Sequence, residues 1–475
     1  MPDRKPPAFD VAIIGAGPAG MAAAHRAREC GLSVVQFEAR DVGGTSVNRG
    51  CVAKRLFVTA SRQGDVIRLA EPFGWSVPGE AVFDWPGLRD VVRDRVRAVR
   101  EQRSERLRAD GVTLVPRRVQ LAGDGRIVAT DADTDGDAGT AREWHATDIV
   151  IATGSRPLVP DLPGAELALL SDDLFTLDTL PGRIAMVGGG YIAVEFAGAL
   201  RRFGVEVSVF ESRERLLEGF DAQVVSHLEA SMREAGIDIV CGTRAKAIEK
   251  SGSGLKLVLD GERDRDGFDA VALVIGRAPN VEGIGLERAG VTLTDAGLVQ
   301  VDGQGRTSAA HVHAVGDIVE SLQLAPVAAE GGRAVIDAIL GRRVERTCEE
   351  HVPTAVYSEP ECGSIGLSEM DAEARGIAHE VRRARYHPLD GVFATEPDRV
   401  LTKLVVEKPT GRLLGFHAFG PHAVECTQLM ALPITVGLTE HDLHRTMPLH
   451  PTHAEAIVGL GRGGPPTGAG GAGTG

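Results

Sequence analysis

The feature that most constrains this chain is a long internal repeat. FDVAIIGAGPAGMAAAHRARECGLSVVQFE (9–38) and RIAMVGGGYIAVEFAGALRRFGVEVSVFE (183–211) share one layout. Each runs from an apolar strand through a G-x-G-x-x-G/A turn, a helix rich in small residues and a Gly to a second apolar strand ending in Glu. Gly15 to Glu38 and Gly188 to Glu211 are both 23 residues. A lone G-x-G-x-x-G is weak, but two copies with strands, helices and acidic ends in place predict two dinucleotide-binding units. The first glycine permits the tight turn, the second lets backbone approach a pyrophosphate, and the third position lets helix pack on strand. The helix N-terminus offers unpaired N–H groups to the phosphates, and the terminal carboxylate accepts hydrogen bonds from a ribose diol. Gly15, Gly17, Gly20 and Glu38 carry these roles in the first copy, and Gly188, Gly190 and Glu211 in the second. The alternative is a pair of glycine-rich turns with no ligand.

The rest of the chain is read around these units. IVIATGSRP (149–157) reads as a buried strand ending in a turn, and VHAVGDIVE (312–320) likewise, with Asp317 just past the strand. From 344 onward there is no glycine fingerprint, and short strands mix with helical patterns. DADTDGDAGT (131–140) fails as a calcium loop, because its twelfth position is Arg142 rather than Glu, and reads as an acidic hairpin loop. The final GRGGPPTGAGGAGTG cannot pack a core and is expected to be disordered. A net charge of −14 gives no support to a nucleic-acid partner. No apolar run reaches membrane-spanning length, and the N-terminal apolar run leads straight into glycines rather than to a cleavage site. Six cysteines in 475 residues are too sparse for a disulfide scaffold. A cytoplasmic protein is expected, with no membrane contact.

A third element joins the doubled fold. GGTSVNRGCVAK (43–54) resembles the redox-active segment of the flavoprotein disulfide reductases, the class I pyridine nucleotide-disulfide oxidoreductases, where G-G-T-C-x-N-x-G-C-x-P-K is usual. GRAPN (276–280), AVGD (314–317), LAPVAAEGGR (324–333), VPTAVYSEPECGSIGLSE (352–369) and LHPTHAE (449–455) match that family's landmarks in order. CVAKRLFVTAS, FGW and FDWPGL are similar to glutathione reductases in particular. The resemblance implies an α/β fold with two Rossmann-type domains and a C-terminal α+β dimerisation domain. It places FAD on residues 1–165 and 290–343, NAD(P) on 166–289 and the subunit interface on 344–461, with a Gly-rich tail at 462–475. Gly44, Thr45, Thr153, Gly154, Gly276 and Arg277 would also contact the cofactors, with Asp317 at the ribityl–phosphate region of FAD and Tyr191 gating the nicotinamide pocket. Lys54 and Glu195 would pair near the flavin. The protein would be a homodimer in which His450, oriented by Glu455, acts in the partner's active site. A His–carboxylate pair suits the shuttling of a thiol proton near neutral pH. His441, His444 and His453 lie nearby, but no metal is expected.

One position departs from the family. The second cysteine is present as Cys51, but the first, which attacks the substrate disulfide, is replaced by Ser46. A serine hydroxyl does not ionise at neutral pH and cannot form a disulfide, so the dithiol relay is broken. Three readings follow. The leading one is a FAD-dependent oxidoreductase using Cys51, the flavin or both on a small, sulfur-containing substrate, with an anionic thiol or disulfide as a candidate. The second is an orthodox glutathione-type reductase in which Ser46 is engineered or bypassed. The third is a flavin-binding scaffold or sensor without turnover.

The cofactor and substrate positions give partial guidance. Where NADPH-using relatives carry a neutral residue and two arginines, this chain has Glu211, Ser212 and Glu218. A carboxylate suits a ribose 2′-OH and repels a 2′-phosphate, so NADH is expected over NADPH. Ala193 at the third glycine position and the nearby Arg213 and Arg215 point the other way. Arg333 matches a substrate-carboxylate position of the family, and His25 stands where glutathione reductases often have Arg. The stretch 89–108 carries Arg89, Arg93, Arg95, Arg97, Arg100, Arg103, Arg106 and Arg108, which fits either a solvated basic face or a funnel for an anionic substrate.

Overall fold

The computed structural model describes residues 8–79, 81–130, 143–261, 263–320, 322–344, 347–386 and 400–460. The acidic loop read at 131–140 and the tail at 462–475 lie outside the described residues. The chain divides into two units: residues 1–54, 89–158 and 277–346, and residues 55–88, 159–276 and 347–475.

The first unit is built on a parallel sheet. Strand Ala8–Ile14 lies between Val34–Phe37 and Glu143–Ile151, and Thr113–Val115 and Val312–Ala314 extend the sheet at its two ends. Val11, Ala12, Ile13 and Ile14 are buried in a continuous run, as expected of a strand covered on both faces. The N-terminal half of Glu143–Ile151 also pairs antiparallel with Arg126–Ala129, which pairs with Val119–Gly123. Helix Pro18–Glu29 follows the first fingerprint and begins with a proline, whose missing N–H no first-turn residue needs. Its buried alanines let helix Ala325–Ile339 come close. A Cβ at Gly332 would sit 2.1 Å from the Ala19 carbonyl oxygen, so only glycine fits that contact.

The second unit repeats the parallel core. Its strands run in the order Asp238–Val240, Glu206–Phe210, Arg183–Val187, Ala270–Leu273, Leu169–Leu170, all parallel. A three-stranded antiparallel ribbon of Ala245–Ser251, Gly254–Leu259 and Arg265–Phe268 accompanies it. The C-terminal part is a five-stranded antiparallel sheet in the order Thr354–Val356, Cys362–Gly366, Leu413–Phe419, Val400–Glu407, His379–Tyr386. Every residue of Leu413–Phe419 is buried, and helix Ala423–Thr435 packs on that strand and on Cys362–Gly366. This mixed α/β architecture has the two dinucleotide-binding layouts expected from the repeat and the α+β segment that the family resemblance implies. Among the described residues, no helix is long and apolar enough to cross a membrane.

Gly332→Val tests the helix contact. Forcing apart two backbones that meet this closely is expected to cost about 1–3 kcal/mol, read as a lowered urea midpoint. An unchanged midpoint would mean that the helices do not depend on this contact.

Candidate active site

The first fingerprint turns sharply at Gly15, whose φ of 108° is open to glycine and closed to other L-residues. A Cβ there would lie 2.2 Å from the Ala152 carbonyl oxygen. Gly17 then caps helix Pro18–Glu29 with no side chain bonded to its first turn, and Gly20 is buried within it. Glu38 closes the unit: its Oε2 accepts from the Ala16 N–H and its Oε1 from the Arg40 N–H, each at 2.8 Å. Burial pushes the Glu38 carboxyl above its ordinary value, against the pull of those N–H donors. Gln36, which sequence reasoning passed over, donates from Nε2 to the Gly15 carbonyl at 2.9 Å and holds the turn from below. Beside Glu38 opens a cleft of about 390 Å³, lined also by Arg40, Asp41, Val42, Arg100, Leu114 and Pro116. The glycine cradle, bare helix terminus and half-buried carboxylate together fit a pyrophosphate flanked by a ribose.

A hydrogen-bonded chain surrounds Asp317. Ser155 Oγ donates to Asp317 Oδ2 at 2.6 Å and accepts from Arg277 Nε at 2.9 Å. Arg277 Nη2 also reaches the Ser155 carbonyl at 2.8 Å and Thr45 Oγ1 at 3.3 Å. Thr153 Oγ1 donates to the Asn280 carbonyl at 2.8 Å, while Asn280 donates from its side chain to the Thr153 carbonyl and from its backbone to that of Gly154, each at 2.9 Å. The structure thus brings Thr45, Thr153, Gly154, Arg277 and Asp317 together. Ser155 and Asn280, which sequence reasoning missed, lie within the IVIATGSRP and GRAPN stretches.

Helix Gly44–Asn48 carries Thr45 and Ser46, and the next helix, Cys51–Arg68, opens on Cys51. Ser46 is half-buried, Cys51 is an exposed free thiol, and Lys54 is buried. Asn48 pins the segment by donating to the Gly44 and Val42 carbonyls at 2.9 and 3.2 Å. Burial pushes the thiols of Cys362 to about 12 and of Cys241 and Cys426 to about 11, which keeps them protonated near neutrality.

The second fingerprint repeats the two backbone N–H bonds to its acid, without a counterpart to Gln36 among the described residues. Gly188 has a φ of 116°, and a Cβ there would lie 2.6 Å from the Val274 carbonyl oxygen. Glu211 Oε2 accepts from the Gly189 N–H at 2.6 Å and Oε1 from the Arg213 N–H at 2.8 Å. Gly190 begins helix Tyr191–Arg202, which carries the exposed Tyr191 and the buried Glu195. Glu195 Oε1 accepts the Tyr357 N–H at 2.7 Å. Arg213, two residues beyond Glu211, is paired with Glu218. Gly276 immediately precedes Arg277 and has a φ of 126°.

His450 Nδ1 and Glu455 Oε2 lie 2.9 Å apart, with the imidazole exposed and the carboxylate largely buried. His25 faces Asp110, Nδ1 to Oδ2 at 2.6 Å, on a carboxylate that Arg106 also reaches. Arg333 is exposed on helix Ala325–Ile339. On helix Trp85–Ala109, Arg93 and Arg97 pair with Asp90 and Asp94 one turn away, Arg106 with Asp110, and Arg100 with Asp41. Much of that positive charge is therefore neutralised locally, as on a solvated face. His444 Nε2 meets the Leu460 carbonyl at 2.7 Å.

The chain matches the family described as pyridine nucleotide-disulphide oxidoreductase over residues 9–332, and that family's dimerisation domain over residues 352–460. It is similar to the glutathione reductase of Nostoc sp. (strain PCC 7120 / SAG 25.82 / UTEX 2576), at 35% identity over 463 residues covering 95% of this chain and 98% of that protein. It is 36% identical over 455 residues to the glutathione reductase of Burkholderia cepacia, again covering 95% and 98%. A third relative, the chloroplastic/mitochondrial glutathione reductase of Pisum sativum, is 33% identical over 461 residues, 95% of this chain and 82% of that one.

Glu38 is the candidate ribose acceptor, and replacing it removes a charged acceptor beside the glycine turn. Glu38→Ala is expected to weaken FAD retention by about tenfold or more, measured as flavin lost on ultrafiltration. Retention equal to that of the parent protein would remove Glu38 from the site.

Proposed function

Because the chain belongs to the pyridine nucleotide-disulphide oxidoreductases, we propose a FAD-dependent homodimer that oxidises NADH and reduces a small, sulfur-containing substrate without a dithiol relay. That it is an FAD-dependent oxidoreductase follows from the family; the substrate, the missing relay and the NADH preference are this proposal. The observation that carries it is Ser46, on the helix just ahead of Cys51. A cytoplasmic site of action, and domains divided as 1–165 with 290–343, 166–289 and 344–461, belong to the same reading.

FAD, when bound, supplies two-electron transfer between nucleotide and acceptor. Glu38 would hold its adenosine ribose, the helix beginning after Gly17 its pyrophosphate, and the Ser155-braced Asp317 its ribityl end. Gly44, Thr45, Thr153 and Gly154 would line the same site, and Lys54 and Glu195 would support it. On a disulfide substrate, the Cys51 sulfur attacks one substrate sulfur. A mixed disulfide forms and a substrate thiolate leaves, taking a proton from His450. Glu455 occupies Nδ1 of that imidazole, so Nε2 is the atom that moves the proton. Each subunit's His450 serves the other's Cys51. Ser46 cannot resolve the mixed disulfide, since a hydroxyl does not displace a thiolate from sulfur under these conditions. Release of the second substrate thiol and return of Cys51 to the thiol state would therefore draw the two electrons that NADH delivers through FAD, with the proton again from His450. Arg333 and His25 are the candidate contacts to an anionic substrate, and His25 would have to share itself with Asp110.

The names of the relatives favour a second reading, orthodox reduction of oxidised glutathione. One experiment separates the two. The unmodified protein is expected to turn over NADH with oxidised glutathione negligibly, and anaerobic NADH should expose no new alkylatable thiol at Cys51. Ser46→Cys should form a disulfide that NADH then opens. Efficient glutathione turnover by the Ser46 protein would overturn the broken relay. Comparison with Cys51→Ala then tells thiol chemistry from direct transfer by the flavin.

The nucleotide preference rests on charge. Glu211 is locked by two backbone donors, and Glu218 engages Arg213, so a 2′-phosphate would meet a fixed carboxylate without that arginine's help. Like charges at 4 Å in an environment between surface and bulk water cost about 1–4 kcal/mol. NADH is therefore expected to exceed NADPH in kcat/KM by roughly tenfold or more, with Glu211→Ala narrowing the ratio. A clear NADPH preference would refute this.

A further inference from the structure

Two buried charges lie outside all of the chemistry described so far. Lys403, on strand Val400–Glu407, is 2% exposed and Asp221 is 3% exposed. Lys403 Nζ stands 2.7 Å from Asp221 Oδ2 and 2.7 Å from Glu369 Oε2. Charges this deep persist only when paired and hydrogen-bonded, because desolvation costs several kcal/mol per ion. Asp221 divides its carboxylate between two tasks. Oδ1 caps helix Ala222–Glu234, accepting from the Gln223 and Val224 N–H groups at 3.0 and 3.3 Å, while Oδ2 faces Lys403. Burial opposes ionisation of Asp221, but Lys403 and the helix N–H donors outweigh it and hold the carboxyl below its ordinary value.

The position of Asp221 gives the pair its significance. It ends the loop that starts at Glu211, the ribose-side carboxylate of the second fingerprint. That loop is fastened along its length. Glu211 is held by Gly189 and Arg213, Leu217 N donates to the Gly189 carbonyl at 2.9 Å, and Leu216 N donates to Glu229 Oε1 at 3.0 Å. Leu217 adopts a φ of 46°, a conformation that costs a non-glycine residue about 1–2 kcal/mol. Such a residue persists only where its surroundings over-determine it. The buried ion pair supplies the fastening at the far end, and its lysine comes from the C-terminal sheet.

We propose that Lys403 is a positioning residue for pyridine-nucleotide binding: through Asp221 it holds the Glu211–Phe220 loop in the shape that receives the adenosine ribose. This rests on the reading that the second fingerprint binds the nucleotide, and not on which nucleotide is preferred. A lysine that merely glued sheet to helix would affect stability alone.

The test uses the FAD-loaded protein and the double variant Lys403→Met/Asp221→Asn. Removing both charges avoids stranding one, and asparagine retains the helix cap. ADP-ribose and 2′-phospho-ADP-ribose are titrated calorimetrically, so the readout needs no turnover. The variant is expected to keep its FAD and flavin spectrum while the Kd for ADP-ribose rises about tenfold. In steady state, KM for NADH should rise with little change in kcat. An unchanged Kd, with or without a lower melting temperature, overturns the proposal. Should the double variant fail to fold, Asp221→Asn alone, in which Lys403 keeps Glu369 as its charged partner, is expected to shift Kd in the same direction, and no shift there overturns it equally. Tighter binding of the 2′-phospho ligand by the parent protein would refute the NADH preference and leave this proposal to be read on that ligand.

Discussion

Each fingerprint depends on a carboxylate that accepts the N–H of the residue following its first glycine. Glu38 does this to Ala16 and Glu211 to Gly189, and each takes a second N–H from two residues further along the chain. The bond ties the end of the second strand to the turn after the first. The same turn presses on the end of a third strand, at Ala152 in one unit and Val274 in the other. Sheet register, helix origin and the placement of the acid are therefore one coupled arrangement. The glycine turn and the acid of each unit are thus set together by the folded chain.

That coupling explains what could be read from the sequence. The fingerprint roles repeat at fixed short spacing, so local pattern reveals them, and the His450–Glu455 pair spans five residues within the LHPTHAE stretch that the family resemblance singles out. The arginines of helix Trp85–Ala109 belong with them, because their acidic partners lie mostly one turn away. Contacts across long separations leave no such trace. Lys403 and Asp221 are 182 positions apart, Tyr357 and Glu195 are 162 apart, and Ser155 and Asp317 are also 162 apart. Each depends on two elements packing together. His25 shows the difference in miniature: its place on the first helix was legible, whereas the Asp110 that engages it lies 85 residues away.

The electrostatics of the two units diverge where the backbone does not. Around Glu38 the cleft is lined by Arg40 and Arg100 as well as acids, a mixed environment suited to a diphosphate with its ribose. Around Glu211 the nearby Arg213 is paired with Glu218. The two units satisfy the backbone requirement in the same way and differ in the charged side chains beside each acid.

The replacement at position 46 carries this separation of frame and chemistry to its limit. The hydrogen bonds that hold the redox segment run through Asn48 and the backbone carbonyls of Val42 and Gly44. None of these needs a sulfur at residue 46. Serine and cysteine differ there by one atom of similar bonding geometry, so packing of a half-buried side chain barely distinguishes them. The reactivity of that atom decides whether two electrons can be stored as a dithiol. Family membership is read from hundreds of residues that build the frame, and the hydrogen bonds of that frame place no demand on the side-chain atom at residue 46.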